Sequence, residues 1–160
     1  DRAQFGAGAE RLHAGRFVIG TNSNHVGLRL SPEPGASVPV RERTDEVLSR
    51  GVPIGAVEVP AGSELLVLHR GRGVTAGYPV LAVVTRVGLS LLGQARPGQS
   101  VEFVRVTLEE AIAAARAEQA AIDGLTWRVA RLVSAHGAGG SPQARRSFAG
   151  RGSGPGAVAS

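Results

Sequence analysis

The sequence holds no cysteine, no methionine and no lysine, and only one tryptophan and one tyrosine in 160 residues. Without cysteine there is no disulfide framework, no thiolate nucleophile and no thiolate metal ligand. Without lysine all 18 basic residues are arginines, and a guanidinium does not replace the ammonium of a phosphate-binding loop or of a Schiff base. No cofactor is therefore held covalently through lysine in this chain, biotin included. Without methionine the chain does not open on an initiator residue, so we expect part of a longer protein. Long apolar runs are missing as well: nothing approaches the ~18 residues that cross a membrane as a helix, the nearest stretch being Tyr78 to Val84. The first residues also lack the basic-then-apolar pattern of an export signal. A cytoplasmic protein with no membrane partner is the expectation.

What is present suits one folded domain, with 42% hydrophobic residues and charges of both signs. The net charge of +5 does not point to nucleic acid, because acidic residues are interspersed outside the tail and no basic-aromatic cluster offers a stacking platform. His13, His25, His69 and His136 are scattered without H-x-H or H-E-x-x-H spacing, so no metal site is expected. Gly88-Leu89-Ser90-Leu91-Leu92 lacks the last glycine of a G-x-S-x-G elbow, which removes a hydrolase triad within this chain.

Along the chain, residues 1–15 read as a short helix closed by Gly15. Arg16 to Ile19 and Val26 to Leu30 read as strands joined by the turn-forming cluster Gly20 to Asn24. Ser31 to Arg50, with Pro32, Pro34 and Pro39, reads as an exposed connection. Strands resume at Ile54. Val57 to Val59 alternates as a half-buried strand does, whereas Leu65 to Leu68 and Val80 to Val84 are continuous apolar runs of the kind covered on both faces. A short helix over Leu89 to Gln94, a turn at Arg96-Pro97-Gly98 and a strand over Ser100 to Val106 follow. Thr107-Leu108-Glu109-Glu110 is a capping box that opens a packing helix. Gly124 is expected to break that helix before a second amphipathic segment through Trp127, itself expected in a core. From His136 to Ser160 the glycine, serine, proline and arginine content predicts a disordered basic tail, leaving residues 1–135 as the folded lobe. Many short strands with turn signals predict a mainly β fold of barrel type with peripheral helices, α+β in class.

Two features invite functional readings from the residues themselves. Gly71 to Gly77 is either an anion cradle, in which backbone amides and Arg72 surround a phosphate or carboxylate, or a plain turn loop. Arg29, in the middle of an apolar strand, requires either an anionic ligand or a structural carboxylate partner.

Several short blocks also occur in an order that resembles a known family. Ser23-Asn24-His25-Val26-Gly27-Leu28-Arg29-Leu30 is similar to S-N-R-M-G-x-R-L of the biotin-dependent carboxyltransferase family, which includes allophanate hydrolase subunit 2 homologues and the C subunit of 5-oxoprolinase. Ser49-Arg50-Gly51-Val52 resembles its S-E-G-V, and Gly55-Ala56-Val57-Glu58-Val59-Pro60 its G-x-I-Q-V-P. Thr75-Ala76-Gly77-Tyr78-Pro79 resembles T-G-G-Y-P, Arg96-Pro97-Gly98 its R-P-G, and Val106 to Ala111 its V-S-L-E-E-A. The resemblance implies a cyclophilin-like β-barrel and places this chain in the C-terminal part of a longer protein. It further implies an active cleft formed with a sister subunit or lobe.

Two activities come with the resemblance. One is an ATP-dependent opening of the lactam 5-oxoproline to glutamate within a complex, ATP being bound by that complex. The other is carboxyl transfer to urea or a related amide from biotin carried on a partner. A third role found in the family is a non-catalytic regulatory partner of a kinase-inhibitor-like protein. The implied substrate-binding residues are Arg29 for a carboxylate, Asn24 and Tyr78 for an amide, and Thr75 to Gly77 for developing negative charge. Glu58 joins them at the position where the family carries glutamine. No individual catalytic residue and no metal ligand is assigned. His25 replaces the family's arginine, and Gly71 and Gly73 stand where an acidic group and an amide are expected.

Overall fold

The computed structural model describes residues 1–43 and 46–137. Its frame is a six-stranded antiparallel sheet built from β1 (Arg16–Ile19), β2 (Gly27–Pro32), β4 (Ala56–Glu58), β5 (Leu65–Leu68), β7 (Val80–Val83) and β8 (Ser100–Glu102). The strand order is β7-β4-β5-β2-β1-β8. A separate two-stranded ribbon pairs β3 (Arg50–Gly51) with β6 (Thr75–Ala76). One compact unit spans Asp1–Arg116, and a second begins at Ala117.

The period-two alternation of side chains divides the sheet into two faces. Phe17, Ile19, Leu28, Leu30, Val57, Leu65 and Val67 point to one of them and join Phe5, Ala9 and Leu12 from the leading segment in the main core. Phe17 also meets Phe103 edge to face, with ring centroids 5.9 Å apart. On the other face a smaller cluster holds Val52, Ala56 and Leu68, with Leu66, Ala76 and Val80 packed against it. The ribbon supplies Ala76 to that cluster, so β6 roofs part of this second face.

Several expectations are corrected. The leading segment is two 3-10 turns, Arg2–Gln4 and Gly6–Leu12, in place of one helix. Gly6, which opens the second turn, has φ 48°, a left-handed conformation that interrupts regular winding. The proline-rich connection is not simply exposed: Val38 enters the core and Pro39 is fully buried, because proline brings no N–H that burial would leave unpaired. β7 is not covered on both faces but is an edge strand, with Val83 exposed. The strand expected through Val106 ends at Glu102. The short helix α1 spans Arg86–Leu92, starting three residues earlier than expected because Thr85 Oγ1 accepts from the Gly88 amide as an N-cap.

The capping box is formed as expected. The Glu110 amide donates to Thr107 Oγ1 at 3.1 Å, and the Thr107 amide donates to the Glu110 carboxylate at 2.7 Å. It opens α2, which runs unbroken over Leu108–Gly137. Gly124 does not end it, since one interior glycine costs about 1 kcal/mol and good helix formers surround it. Nor is Trp127 in a core: it is 60% exposed, with the Arg131 guanidinium stacked 4.7 Å from its ring centroid one turn on. His136 and Gly137 belong to α2, and the remainder of the expected tail lies outside the described residues. No described helix is long and apolar enough to cross a membrane.

Candidate functional site

The second face of the sheet carries two charged side chains, Arg29 and Glu58. Arg29 in β2 pairs with Leu66 in β5, which pairs with Glu58 in β4, which in turn pairs with Val80 in β7. These four share one face, and strand spacing places Arg29 about 10 Å from Glu58. A β-bulge between Val57 and Glu58 shifts the register where β4 meets β7, an irregularity that re-aims side chains beside functional sites.

Glu58 is the buried charged residue of this face, 1% exposed, and its Oε1 has no hydrogen-bond partner among the described residues. Leu66 and Val80 flank it across the strands. This desolvated setting raises the pKa of its carboxyl above the ordinary 4.5, because burial disfavours the ionised form. The group therefore retains its proton at pH values where an exposed glutamate has lost it. That property suits a proton donor or a neutral hydrogen-bond donor.

Tyr78 and Gly77 line a slot of about 370 Å³ closed by Val38, Pro39, Arg41 and Pro60. The slot adjoins the Glu58 strand, since the Val59 amide donates to Pro79 O at 3.0 Å. Its walls are largely apolar, while the Tyr78 phenol, the Arg41 guanidinium and the Gly77 backbone supply polar groups. Thr75, in β6, pairs with Gly51 and is exposed at the rim of the ribbon.

The remaining expected residues are engaged within the chain. Asn24 Oδ1 accepts from the amides of Val26 at 2.9 Å and Gly27 at 3.4 Å, closing the turn between β1 and β2. Arg29 has a structural partner, with its Nη1 3.5 Å from Glu64 Oε2, and Ser31 also donates to Glu64. The Gly71 to Gly77 loop behaves largely as a packed turn. The Gly71 amide donates to His25 O at 2.9 Å, and Arg72 Nε donates to Val52 O at 3.0 Å. A Cβ at Gly71 would meet His25 Cδ2 at 2.2 Å, so the glycine is required by this close approach.

Arg41 and Glu64 are functional candidates that the sequence pattern does not reveal directly. Arg41 lies in the connection read as exposed, and only the burial of its neighbour Pro39 reveals that it borders a slot. Glu64 had a detectable signal, standing directly before the apolar run of β5 as a carboxylate within reach of a strand arginine. No cluster of histidine, aspartate and glutamate suited to a metal occurs among the described residues.

Known proteins share this frame. The C subunit of 5-oxoprolinase from Escherichia coli (strain K12) is 32% identical over 113 residues, which is 71% of this chain and 35% of the relative. The chain thus spans about a third of that relative's length. The crystal structure of TTHA0988 superimposes with a TM-score of 0.52 at 36% identity, over 64% of this chain and 19% of the other. The Kluyveromyces lactis urea carboxylase matches with a TM-score of 0.62 over 72% of this chain and 10% of its own, and at 22% identity it supports the fold alone. The family model for the carboxyltransferase domain, subdomain A and B, matches residues 3–105, the whole of the sheet and both sides of the Glu58 face, and the chain belongs to that family.

Proposed function

We propose that this chain is the C-terminal lobe of a 5-oxoprolinase-type C subunit, acting with a sister subunit in the ATP-dependent opening of a lactam to glutamate. The observation that carries the reading is the 32% identity to the Escherichia coli protein of that name. The slot beside Glu58 is consistent in chemistry: 5-oxoproline is a small planar amide bearing one carboxylate. Tyr78 and the Gly77 backbone face the amide, while Arg29, the residue implied for the carboxylate, is engaged by Glu64. ATP is bound elsewhere in the complex, since the chain offers no lysine for a phosphate loop. Biotin on a partner belongs to the alternative reaction, carboxyl transfer to an amide.

The test is co-expression of this chain with the rest of the protein it belongs to and with a sister subunit, followed by assay of glutamate released from 5-oxoproline with and without ATP. ATP-dependent release that falls at least tenfold in Tyr78→Phe supports the reading. Absence of glutamate from a stable complex sinks it. A second reading, a binding protein without turnover, draws on one observation: Asn24 and Arg29 both have partners inside the chain. A stable complex with the sister subunit and no catalysis on either amide would select it.

A further inference from the structure

The second half of α2 carries an apolar stripe that lies open to solvent. From Ile122 onward, aliphatic side chains recur at intervals of three and four residues: Ile122, Leu125, Val129 and Leu132. Each is at least 47% exposed. In heptad terms Ile122 and Val129 fall at a, and Leu125 and Leu132 at d. The whole stripe belongs to the unit that begins at Ala117.

The shape of the stripe selects its occupant. At 3.6 residues per turn the four side chains cover about 80° of the helix surface, narrower than the face of a helix that packs on a core or lies in a lipid surface. Trp127, the ring that a lipid surface would draw in, stands on the opposite side with Arg131 stacked on it. A strict a/d stripe is the seam of a coiled coil, and β-branched residues at a with leucine at d favour a parallel pair of helices. The flanks agree with a copy of themselves. In a parallel pair each g position faces the next e position of the partner helix, so Ala121 meets Thr126 and Arg128 meets Val133, and no like charges are opposed. An antiparallel pair built from the same four layers turns about residue 127 and opposes Arg128 to Arg128. Glu118, the d position before Ile122, is charged and ends the seam on its N-terminal side.

We propose that the seam from Ile122 to Leu132 pairs with the same seam of a second copy of this chain, parallel and in register, as a short two-stranded coiled coil. The contact is isologous, so each of the four residues meets its own counterpart across the two-fold axis. The methylene stem of Arg128 covers Val133 of the second copy while its guanidinium stays in water. Two heptads of core fall short of the three or four that sustained coiled coils show, so the association is weak and depends on protein concentration.

Sedimentation equilibrium of the full chain from about 10 µM to about 1 mM, the range of weak association, should show a shift from monomer to dimer. The double variant Leu125→Ala, Val129→Ala keeps good helix formers in α2 and should weaken that association at least tenfold, whereas Arg131→Ser, outside the seam, should retain it. The chain has no cysteine, so a single introduced thiol reports the geometry. Under mild oxidation Leu132→Cys should form a disulfide-linked dimer, because a parallel pair brings the two d positions together and an antiparallel pair leaves them about 15 Å apart along the axis. Trp127→Cys, on the far side of the helix, should not. A monomer throughout the concentration range overturns the proposal, as does a dimer that the double alanine variant leaves unchanged. Equal cross-linking of the two thiol variants also overturns it. So does a disulfide between Ile122→Cys and Leu132→Cys chains without one between two Leu132→Cys chains, the mark of an antiparallel pair. None of these readouts requires turnover, so they stand or fall separately from the lactam reading.

Discussion

The two faces of the central sheet are made from the same strands and follow different rules. On the core face, Phe17, Ile19, Leu30, Leu65 and Val67 are all at or below 1% exposure and carry no polar side-chain atom. On the other face the row Arg29, Leu66, Glu58, Val80 alternates charge with aliphatic cover, and one carboxyl oxygen is buried without a partner among the described residues. One residue of register separates Val57 from Glu58, and so separates a core valine from an acid in an apolar setting. Dense packing accounts for the first face. The second tolerates an unsatisfied group that packing alone would have removed, the pattern found where stability yields to function.

The sharpest way to break the comparison is to damage each face in turn. Phe17→Ala on the core face should cost about 3–5 kcal/mol, the usual loss for a fully buried phenylalanine, read as a lower denaturant midpoint. Gly71→Ala on the other side should cost less, about 1–3 kcal/mol as for overpacking. Its new methyl meets both the His25 ring and the His25 backbone, and backbone yields poorly. Equal losses for the two variants would erase the distinction between a packed core and a loop-bounded site.

Glu58→Gln should act in the opposite direction, and its sign depends on pH. The folded-state pKa of Glu58 is raised above 4.5 by burial. Below pH 4.5 the carboxyl is protonated in both folded and unfolded chains, and the substitution has little effect through ionisation. As pH climbs from 4.5 towards the raised value, the unfolded chain releases a proton that the folded chain still holds. Wild-type stability therefore falls over that interval, by about 1.4 kcal/mol per pH unit, and levels off once the folded carboxyl also ionises. Glutamine removes that slope. Unfolding measured at pH 4 and pH 8 should show the variant gaining on the wild type at the higher pH, and parallel pH profiles would contradict the desolvated setting.

Much of this frame was legible in the sequence, and the misses have physical causes. β1 and β5 were readable because short β-branched and aliphatic runs between turn residues have few alternatives, and the Thr107 and Glu110 box is a local motif that needs no tertiary context. The burial of Val38 and Pro39 was not readable, because proline marks irregular backbone and says nothing about whether that backbone lies on a core. The unbroken α2 was misread because Gly124 is a weak breaker inside a strong helical sequence. For the site, strand alternation alone placed Glu58 on one face. Whether that face was covered depended on the ribbon of β3 and β6, whose four residues carry no strong strand pattern. The partner of Arg29 lay 35 residues away, at a separation where only the register of β2 with β5 brings Glu64 close.

The pair Arg29 and Glu64 yields the smallest effect and a useful contrast with Glu58. Its closest approach is 3.5 Å and the arginine is 46% exposed, so water and salt screen the attraction. A double-mutant cycle with Arg29→Met and Glu64→Gln should give a coupling of about 0.2–1 kcal/mol that shrinks as salt is raised. The same cycle reports on function. If Glu64 holds Arg29 away from substrate, Glu64→Gln should leave stability nearly unchanged while lowering KM for a carboxylate-bearing lactam in the assembled complex. An unchanged KM would leave the pair purely structural.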